Sequence, residues 1–248
     1  MERPARGIAE GSVRPDPRTE ARAGRGTREE LTDSPGGPRD PLSEPGSASR
    51  RFVTGIILAA GTSSRLGRPK QLLVLAGKPV LQHVLEALQA TPVDEIVVVL
   101  GHRAHEIASA VPAAGRARFA TNPDYAAGQS TSFHAGLRAS SHRSEGAVIL
   151  LGDQPEVRAE AVTAVVEAWR RGGGPAVQAT YGGIPGHPML FDRSVWPELE
   201  RAEGDEGARG ILAAHPEWLS LVEVGGSPPA DIDTEEDYER LLTEFDDR

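Results

Sequence analysis

One loop of the sequence, LAAGTSSRLGRPK at residues 58–70, combines glycines, hydroxyls and basic side chains. Glycines let a backbone approach its ligand closely, while hydroxyl and cationic groups can hold an anion. The lysine is not adjacent to the second glycine and no Ser or Thr follows it, so the loop is not G-x-x-x-x-G-K-[ST], and its glycine spacing is not G-x-G-x-x-G. We interpret it as a phosphate-binding loop of another kind, with an ordinary basic surface turn as the alternative. The residues concerned are Gly61, Thr62, Ser63, Ser64, Arg65, Gly67 and Lys70.

Lysine is rare in this chain. Lys70 and Lys78 are the only lysines among 27 basic residues, and all the others are arginine. An ammonium group is a compact point charge on a flexible stem, whereas a guanidinium group is a planar fork. Two lysines flanking one loop therefore indicate positions that need a point charge, with chance placement as the alternative.

Two acidic turns lie far from this loop in the sequence. Asp153 follows an apolar run in LLGDQP, and Asp231 and Asp233 lie in DIDTEED. Mg²⁺ is often held by one or two carboxylates together with phosphate oxygens, as metal-assisted phosphoryl or nucleotidyl transfer requires. We expect Asp153 to lie at such a site, with a simple turn cap as the alternative. Because Asp231 and Asp233 alternate in a short extended segment, we expect only one of them to face it.

Alternating strands and helices must position these residues. Continuous apolar runs, typical of strands covered on both faces, occupy residues 52–60, 95–101 and 146–153. Helical patterns occupy residues 80–90, 105–111, 131–140, 158–171 and 194–214, and residues 175–191 resemble interrupted strand material. The alternation predicts an α/β fold with a doubly wound, mostly parallel sheet, whose ligands bind at the carboxyl ends of the strands. A last helix is expected after Thr234, capped by Thr234 and Asp237.

Composition and charge disfavour several functions. Residues 1–51 hold ten arginines and nine acidic residues, so the remainder carries 17 basic and 27 acidic residues. Such a domain is a poor partner for nucleic acid, whose binding depends on cationic contacts. No apolar run is long enough to span a membrane, and no apolar segment near Met1 signals export. The chain has no cysteine, which excludes thiolate chemistry and fits a cytoplasmic protein.

The first 51 residues differ from the rest. They are rich in Pro, Gly, Ser and charge, and they have no apolar periodicity. Such a segment buries too little apolar surface to offset its chain entropy. We therefore expect a disordered tail over residues 1–51 and a single domain over residues 52–248.

Taken in order, five motifs resemble those of the MobA/MocA-like nucleotidyltransferases, and most closely the molybdenum cofactor cytidylyltransferase branch. They are LAAGTSSRLGRPKQLL, GDQP, GHPMLF, GDEGARGIL and DIDTEEDY, within residues 54–242. The resemblance implies a Rossmann-like α/β domain that binds a nucleoside triphosphate at the first loop. It further implies transfer of a nucleotidyl group, CMP from CTP, to the phosphate of molybdopterin or molybdenum cofactor with release of pyrophosphate.

The resemblance also implies roles for individual residues. Lys70, Arg65 and Asp153 are the expected catalytic residues, and Asp153 is expected to hold Mg²⁺ with Asp233 ahead of Asp231. Residues 126–137, AAGQSTSFHAGL, resemble the segment that frames the nucleobase, although a serine-rich helix cap is equally compatible with them. The expected nucleotide-binding residues are Leu58, Ala59, Ala60, Gly61, Thr62, Ser63, Ser64, Gly67, Ser130 and Ser132. His187, Asp205 and Arg209 match family elements that face the acceptor.

The chemistry of the residues agrees with the resemblance. In-line attack on an α-phosphorus concentrates negative charge on the transferring group and on the departing pyrophosphate. A metal together with Lys70 and Arg65 would stabilise that charge. No protein nucleophile is needed, and the G-x-S-x-G pattern of hydrolases is absent because Ser132 occupies the place of its last glycine.

Three alternatives remain open from the sequence. A guanylyltransferase of the same pathway would use the same chemistry, although its first motif usually reads Ala-Gly-Gly and Ala60 favours the cytidylyl branch. A sugar-phosphate nucleotidyltransferase belongs to the same class. A non-catalytic nucleotide-binding partner in molybdoenzyme maturation is a third possibility, against which the intact set of Lys70, Asp153 and Asp233 argues.

Overall fold

The computed structural model describes residues 50–201, 204 and 208–246. Its strands are β1 (Val53–Ala59), β2 (Val74–Leu75), β3 (Lys78–Pro79), β4 (Glu95–Leu100), β5 (Ala117–Thr121), β6 (Gly146–Leu151), β7 (Ala176–Tyr181), β8 (Ile184–Asp192) and β9 (Leu219–Glu223). Its α-helices are α1 (Val80–Gln89), α2 (Ala104–Ala110), α3 (Gln129–Ala139), α4 (Ala159–Arg170), α5 (Trp196–Leu199), α6 (Arg209–Ala214) and α7 (Glu235–Asp246). None of the helices in these ranges is long and apolar enough to cross a membrane.

Two sequence predictions fall largely outside the described residues. The predicted tail over residues 1–51 is described only at Arg50 and Arg51, so its disorder stays a prediction. Arg51 itself belongs with the domain, because its guanidinium lies 3.6 Å from the ring centre of Trp169 and 2.5 Å from the Asp192 carboxylate. Asp205 lies outside the described residues, and its expected contact with the acceptor also stays a prediction.

Seven strands form one sheet in the order β5-β4-β1-β6-β8-β7-β9. Only β8 runs antiparallel to its neighbours, so the predicted mostly parallel sheet is confirmed. The two edge strands β5 and β9 are absent from the sequence prediction. Neither of them contains a fully buried residue, because each has only one neighbouring strand, and so neither carries a continuous apolar run.

Side chains of the central strands point alternately to two cores. On β1, Val53 and Ile57 pack with α1 and α4, whereas Ile56 faces the opposite side, where α3 packs. Helices therefore cover both faces of the sheet, as a doubly wound fold requires. Phe133 and Leu137 of α3 complete the second core.

Two segments differ from the sequence prediction. The helix predicted over residues 194–214 is wrong: α5 and α6 are separate, and Gly204 between them has φ of 67°, which a right-handed helix does not allow. Residues 175–191 form the hairpin of β7 and β8. Gly182 and Gly183 turn it with φ of 58° and 84°, the left-handed conformations that a two-residue hairpin turn favours.

The ends of β1 and β6 bring the first loop and the GDQP turn together. These strands are parallel neighbours, with Leu58 opposite Leu151. Gly152 follows β6 so closely beside β1 that an added Cβ would lie 2.8 Å from the Ala59 Cβ. Glycine is therefore required immediately before Asp153.

Helix α7 fixes the third motif. The Asp237 N–H donates to the Thr234 hydroxyl at 3.2 Å, and the Thr234 N–H donates to the Asp237 carboxylate at 3.0 Å. The predicted capping pair is therefore confirmed. Because the Asp237 carboxylate also accepts from the Asp233 N–H, the cap holds the backbone of the acidic turn.

Candidate active site

A cavity of about 560 Å³ opens at the carboxyl ends of β1 and β6. Its wall includes several of the predicted nucleotide-binding residues, namely Leu58, Ala60, Gly61, Thr62 and Ser132, together with Lys70 and Asp153. The structure thus brings the first loop, the GDQP turn and the start of α3 around one space. This is the position at which doubly wound sheets bind ligands.

Lys70 connects the first loop to both acidic turns. Its ammonium forms an ion pair with Asp153 and lies 3.0 Å from the Asp233 carboxylate. The side chains of Lys70 and Asp153 are only 15% and 14% exposed, so this pair is largely shielded from water. Three motifs that are distant in sequence therefore meet at one lysine.

Burial and charge act in opposite directions on this pair. Burial disfavours the charged form of Lys70, but the carboxylates of Asp153 and Asp233 outweigh it and raise the pKa of the ammonium above its ordinary value. Burial raises the pKa of the Asp153 carboxyl, an effect that Lys70 opposes and Asp231 reinforces. Lys70 is therefore held in its charged form, and Asp153 depends on that charge to remain ionised.

Ser63 shapes the loop that presents Lys70. It has φ of 51°, its carbonyl accepts from the Leu66 and Gly67 N–H groups at 3.1 Å, and its hydroxyl accepts from the Lys70 N–H at 3.1 Å. Gly67 has φ of 65°, which explains a glycine at that position. Ser63 therefore organises the loop, and its hydroxyl proton remains to be donated.

A second cavity of about 210 Å³ lies within the loop itself. It is lined by Gly61, Thr62, Ser63, Ser64, Arg65, Leu66, Lys70 and Asp233. Arg65 is 74% exposed and lies 3.5 Å from the Asp233 carboxylate, so its guanidinium is available to a ligand at the rim. The predicted basic pair of Arg65 and Lys70 thus lies on one small cavity.

The predicted nucleotide-binding residues do not all line these cavities. Ala59 is buried with its side chain in the core, and Gly67 serves the turn of the loop. Ser132 lies on the wall of the 560 Å³ cavity, and its hydroxyl accepts from the Asn122 amide at 3.0 Å. Ser130 is buried and lines neither of these two cavities.

Gln71 is a cavity residue that the sequence did not indicate. It is 2% exposed, lines the 560 Å³ cavity and donates from its amide to the Ala59 carbonyl at 3.1 Å. Its side-chain oxygen has no hydrogen-bond partner among the described residues. The only signal in the sequence is a polar residue between Lys70 and an apolar run.

A third cavity of about 260 Å³ adjoins the first, and Asp153 lines both. The predicted acceptor residues His187 and Arg209 lie on it, together with Asp231, Asp233 and an apolar wall that includes Phe133, Met189 and Phe191. Burial lowers the pKa of His187 to about 4, Asp231 opposes this and Arg209 reinforces it. The imidazole is therefore neutral at physiological pH.

The alternation of Asp231 and Asp233 does not turn either of them away from the site, although which of them holds a metal stays a prediction. Both carboxylates line the 260 Å³ cavity, whereas Ile232 between them is fully buried in the core beside α7. Residues two apart in an extended segment point to the same side, so the alternation places both aspartates together. They differ in their contacts, because Asp231 accepts from the Gln154 amide at 2.8 Å.

The donor set fits a divalent metal that arrives with phosphates. Within the described ranges, no group of three or more His, Cys, Asp and Glu side chains could hold a metal by itself. Asp153 and Asp233 nevertheless both contact the Lys70 ammonium, and Mg²⁺ is commonly bound through one or two carboxylates plus substrate oxygens. A metal bound there would add its positive charge to that of Lys70 and Arg65 on the loop cavity.

The doubly wound sheet carries a glycine-rich loop after its first strand, an aspartate at a strand end and a lysine between two carboxylates. Together these features define an α/β nucleotidyltransferase. The chain belongs to the family of MobA-like NTP transferase domains, which matches residues 55–218. The family resemblance and fold class expected from the sequence are thereby confirmed.

Relatives support the same assignment. Nicotine blue oxidoreductase of Paenarthrobacter nicotinovorans is 32% identical over 200 residues, which cover 77% of this chain and 96% of that protein. The crystal structure of Rv0371c from Mycobacterium tuberculosis H37Rv is 30% identical and superposes with a TM-score of 0.71, covering 79% of this chain and 100% of that one. A structure of Rv0371c in complex with manganese is 29% identical over the same shares, with a TM-score of 0.68.

Proposed function

We propose that this protein transfers CMP from CTP to the phosphate of molybdopterin or molybdenum cofactor, with Mg²⁺ and with release of pyrophosphate, in the cytoplasm. The observation that carries the proposal is Lys70, which lies between two carboxylates and lines both the 560 Å³ cavity and the 210 Å³ loop cavity. The cytidylyl branch and the pterin acceptor rest on the ordered motifs of the sequence.

The triphosphate occupies the first loop in this proposal. Lys70 and Arg65 supply positive charge on the small loop cavity, and Thr62, Ser63 and Ser64 supply hydroxyl donors. Asp153 and Asp233 would hold the metal, which would supply further positive charge beside that of Lys70. Lys70 is held in place by Asp153 and Asp233 before the reaction, so its charge can stabilise developing charge with little reorganisation.

The acceptor occupies the 260 Å³ cavity, beside Asp153. An oxygen of its phosphate attacks the α-phosphorus of CTP, a new P–O bond forms, and the bond to the departing pyrophosphate breaks. Because the attacking phosphate oxygen is already anionic, no side chain needs to remove a proton from it. His187 and Arg209 then bind and orient the acceptor. Neutral His187 can donate one hydrogen bond to it and accept another without adding charge.

The competing functions make different demands on the site. Guanylyl transfer would use the same lysine and carboxylates with a different base, and Ala60 on the cavity wall favours the cytidylyl branch. A sugar-phosphate acceptor would use the same phosphate chemistry without a need for the apolar wall of the 260 Å³ cavity. An oxidoreductase activity, which the name of one relative states for that protein, and nucleotide binding without catalysis both leave the contacts of Lys70 with Asp153 and Asp233 unexplained.

A panel of pyrophosphate-release assays tests the proposal. CTP, GTP, ATP and UTP are each supplied with Mg²⁺, and molybdopterin, molybdenum cofactor, a hexose 1-phosphate or no acceptor is added. We expect release that depends on both CTP and the pterin, and none from the Asp153→Asn variant. Release with the sugar phosphate but not with the pterin would overturn the acceptor, and a preference for GTP would overturn the base.

A further inference from the structure

The two aspartates of the DIDT turn have different surroundings although they point to the same cavity. Asp233 also lines the loop cavity and lies 3.0 Å from the Lys70 ammonium and 3.5 Å from the Arg65 guanidinium. Asp231 lines only the 260 Å³ cavity among the three, and the hydrogen bond to its carboxylate comes from Gln154. Asp233 therefore borders both the cationic loop and the 260 Å³ cavity, whereas Asp231 borders only the 260 Å³ cavity of the three.

Gln154 is built into the protein in a way that fixes this arrangement. It follows Asp153 directly, is only 5% exposed, and donates from its side-chain amide to the Asp231 carboxylate at 2.8 Å. Its other side-chain atom, the amide oxygen, is buried without a hydrogen-bond partner among the described residues. Burying the unpaired amide oxygen costs free energy of desolvation. The hydrogen bond to Asp231 is the interaction that offsets this cost, so we regard it as the purpose of the side chain.

The polar groups around Asp231 are open to a ligand. The His187 ring forms no hydrogen bond within the described ranges, and Arg209 forms no ion pair with a described residue; both line the same cavity. An anion, a neutral imidazole and a guanidinium converge there opposite an apolar wall, which is the pattern of a small-molecule site. A carboxylate accepts hydrogen bonds only, so Asp231 suits a ligand that presents N–H or O–H donors.

We infer that Asp231 binds the donor-bearing, non-reacting end of the acceptor rather than the metal, and that Gln154 is the positioning residue that orients the Asp231 carboxylate for this contact. The inference rests on the proposed function for the identity of the reaction. It divides the acidic turn into a metal carboxylate, Asp233, and an acceptor carboxylate, Asp231.

Four single variants separate these roles. Gln154→Leu removes the hydrogen bond at nearly constant size, Asp231→Asn removes the charge of its partner, and Asp233→Asn does the same on the phosphate side. Gln82→Leu is the matched control, because Gln82 donates to the Glu86 carboxylate at 3.0 Å on α1, which lines none of the three cavities.

Steady-state kinetics are the first measurement. We expect Gln154→Leu and Asp231→Asn to raise the acceptor KM about three- to tenfold, the value of one hydrogen bond, with the nucleotide KM and the metal half-saturation within twofold of wild type. The double variant is expected to raise the acceptor KM no further than Asp231→Asn alone, because Gln154 acts on the acceptor only through the Asp231 carboxylate. A lower Tm of Gln154→Leu with an unchanged acceptor KM would show that Gln154 contributes to stability and not to acceptor binding, and would overturn the inference.

Metal and acceptor binding, measured without turnover, keep the inference separate from the proposed function. Mn²⁺ is titrated into each full-length variant with CTP present and followed by electron paramagnetic resonance, and molybdopterin binding is measured by calorimetry. We expect Asp233→Asn to weaken Mn²⁺ at least tenfold, and Asp231→Asn and Gln154→Leu to weaken only the pterin. Equal weakening of Mn²⁺ by both aspartate variants would overturn the inference, whereas absence of pyrophosphate release from wild type would overturn only the proposed function.

Discussion

Lys70→Met is the most informative single change, because the ammonium of Lys70 joins all three motifs. Methionine keeps most of the length and apolar contact of the side chain and removes only the charge. The variant leaves Asp153 and Asp233 without the cation that lies between them. Both stability and catalysis should therefore respond.

The expected size of the stability effect follows from the exposure of the pair. Breaking a buried ion pair by removing one partner costs about 3–5 kcal/mol. Lys70 and Asp153 are 15% and 14% exposed, but they border an open cavity and Asp153 can take up a proton, so we expect about 2 kcal/mol. For a domain of this size that corresponds to a fall in Tm of roughly 4–8 °C.

The loss should depend on pH in a defined direction. Burial already raises the pKa of Asp153 above its ordinary 3.8, and removal of Lys70 removes the main effect that opposes this. A carboxyl whose pKa is higher in the folded state loses stability as pH rises through the interval between its unfolded and folded values. Lys70→Met should therefore be more destabilised at pH 8 than at pH 4.

Catalysis should fall by about 10²–10³-fold in kcat/KM for pyrophosphate release, the usual cost of removing one preorganised charge from a developing oxyanion. The matched control is Lys78→Met, the only other lysine, whose contact with Glu86 is a surface ion pair with side chains 50% and 42% exposed. Such a pair contributes about 0–1 kcal/mol, so the control should stay within twofold in rate. If Lys70→Met keeps kcat/KM within threefold of wild type and has the wild-type Tm at pH 8, the Lys70 ammonium does not have the role assigned to it.

Three further predictions concern neighbouring residues. Asp153→Asn should abolish pyrophosphate release with a cooperative melting curve retained, because burial already disfavours the Asp153 carboxylate; detectable wild-type turnover would contradict this. Gly152→Ala should cost roughly 1–3 kcal/mol in urea unfolding and lower kcat, because its Cβ would lie 2.8 Å from that of Ala59; an unchanged urea midpoint would argue against the close packing. Unfolding free energy should fall as pH is lowered from about 6.5 to about 4, since folded His187 resists protonation, and His187→Gln should show a shallower fall; equal slopes would count against a buried neutral imidazole.

The sheet and most of its central elements were predictable because buried strands carry continuous apolar runs. β1, β4 and β6 have such runs, and their order in the chain predicted the parallel sheet. β5 and β9 were missed because an edge strand needs no such run. The false helix over residues 194–214 came from extending an apolar pattern through RAEGDEG, where Gly204 has φ of 67°.

Site residues were predictable where their charge or the spacing of glycines indicates a function. They were less predictable where only burial and contacts show that a residue belongs to the site. Lys70, Asp153 and Asp233 were indicated by type and position, and the structure brings them together. Gln71 and Gln154 were not indicated, because a glutamine in a motif has no distinctive chemistry until its burial and partners are known. Ser130 and Ser132 looked equivalent in sequence, but their places on α3 put only Ser132 on the cavity wall.

Transfer of CMP to the pterin phosphate can be tested by identifying the covalent product. Wild-type protein is incubated with CTP labelled at the α-phosphorus, molybdopterin and Mg²⁺, and the pterin is isolated and analysed by mass spectrometry alongside the Asp153→Asn variant. We expect one labelled CMP joined to the pterin phosphate for each pyrophosphate released, and no such product from the variant. Unmodified pterin after complete incubation, or label transferred only to a sugar phosphate, would contradict this expectation.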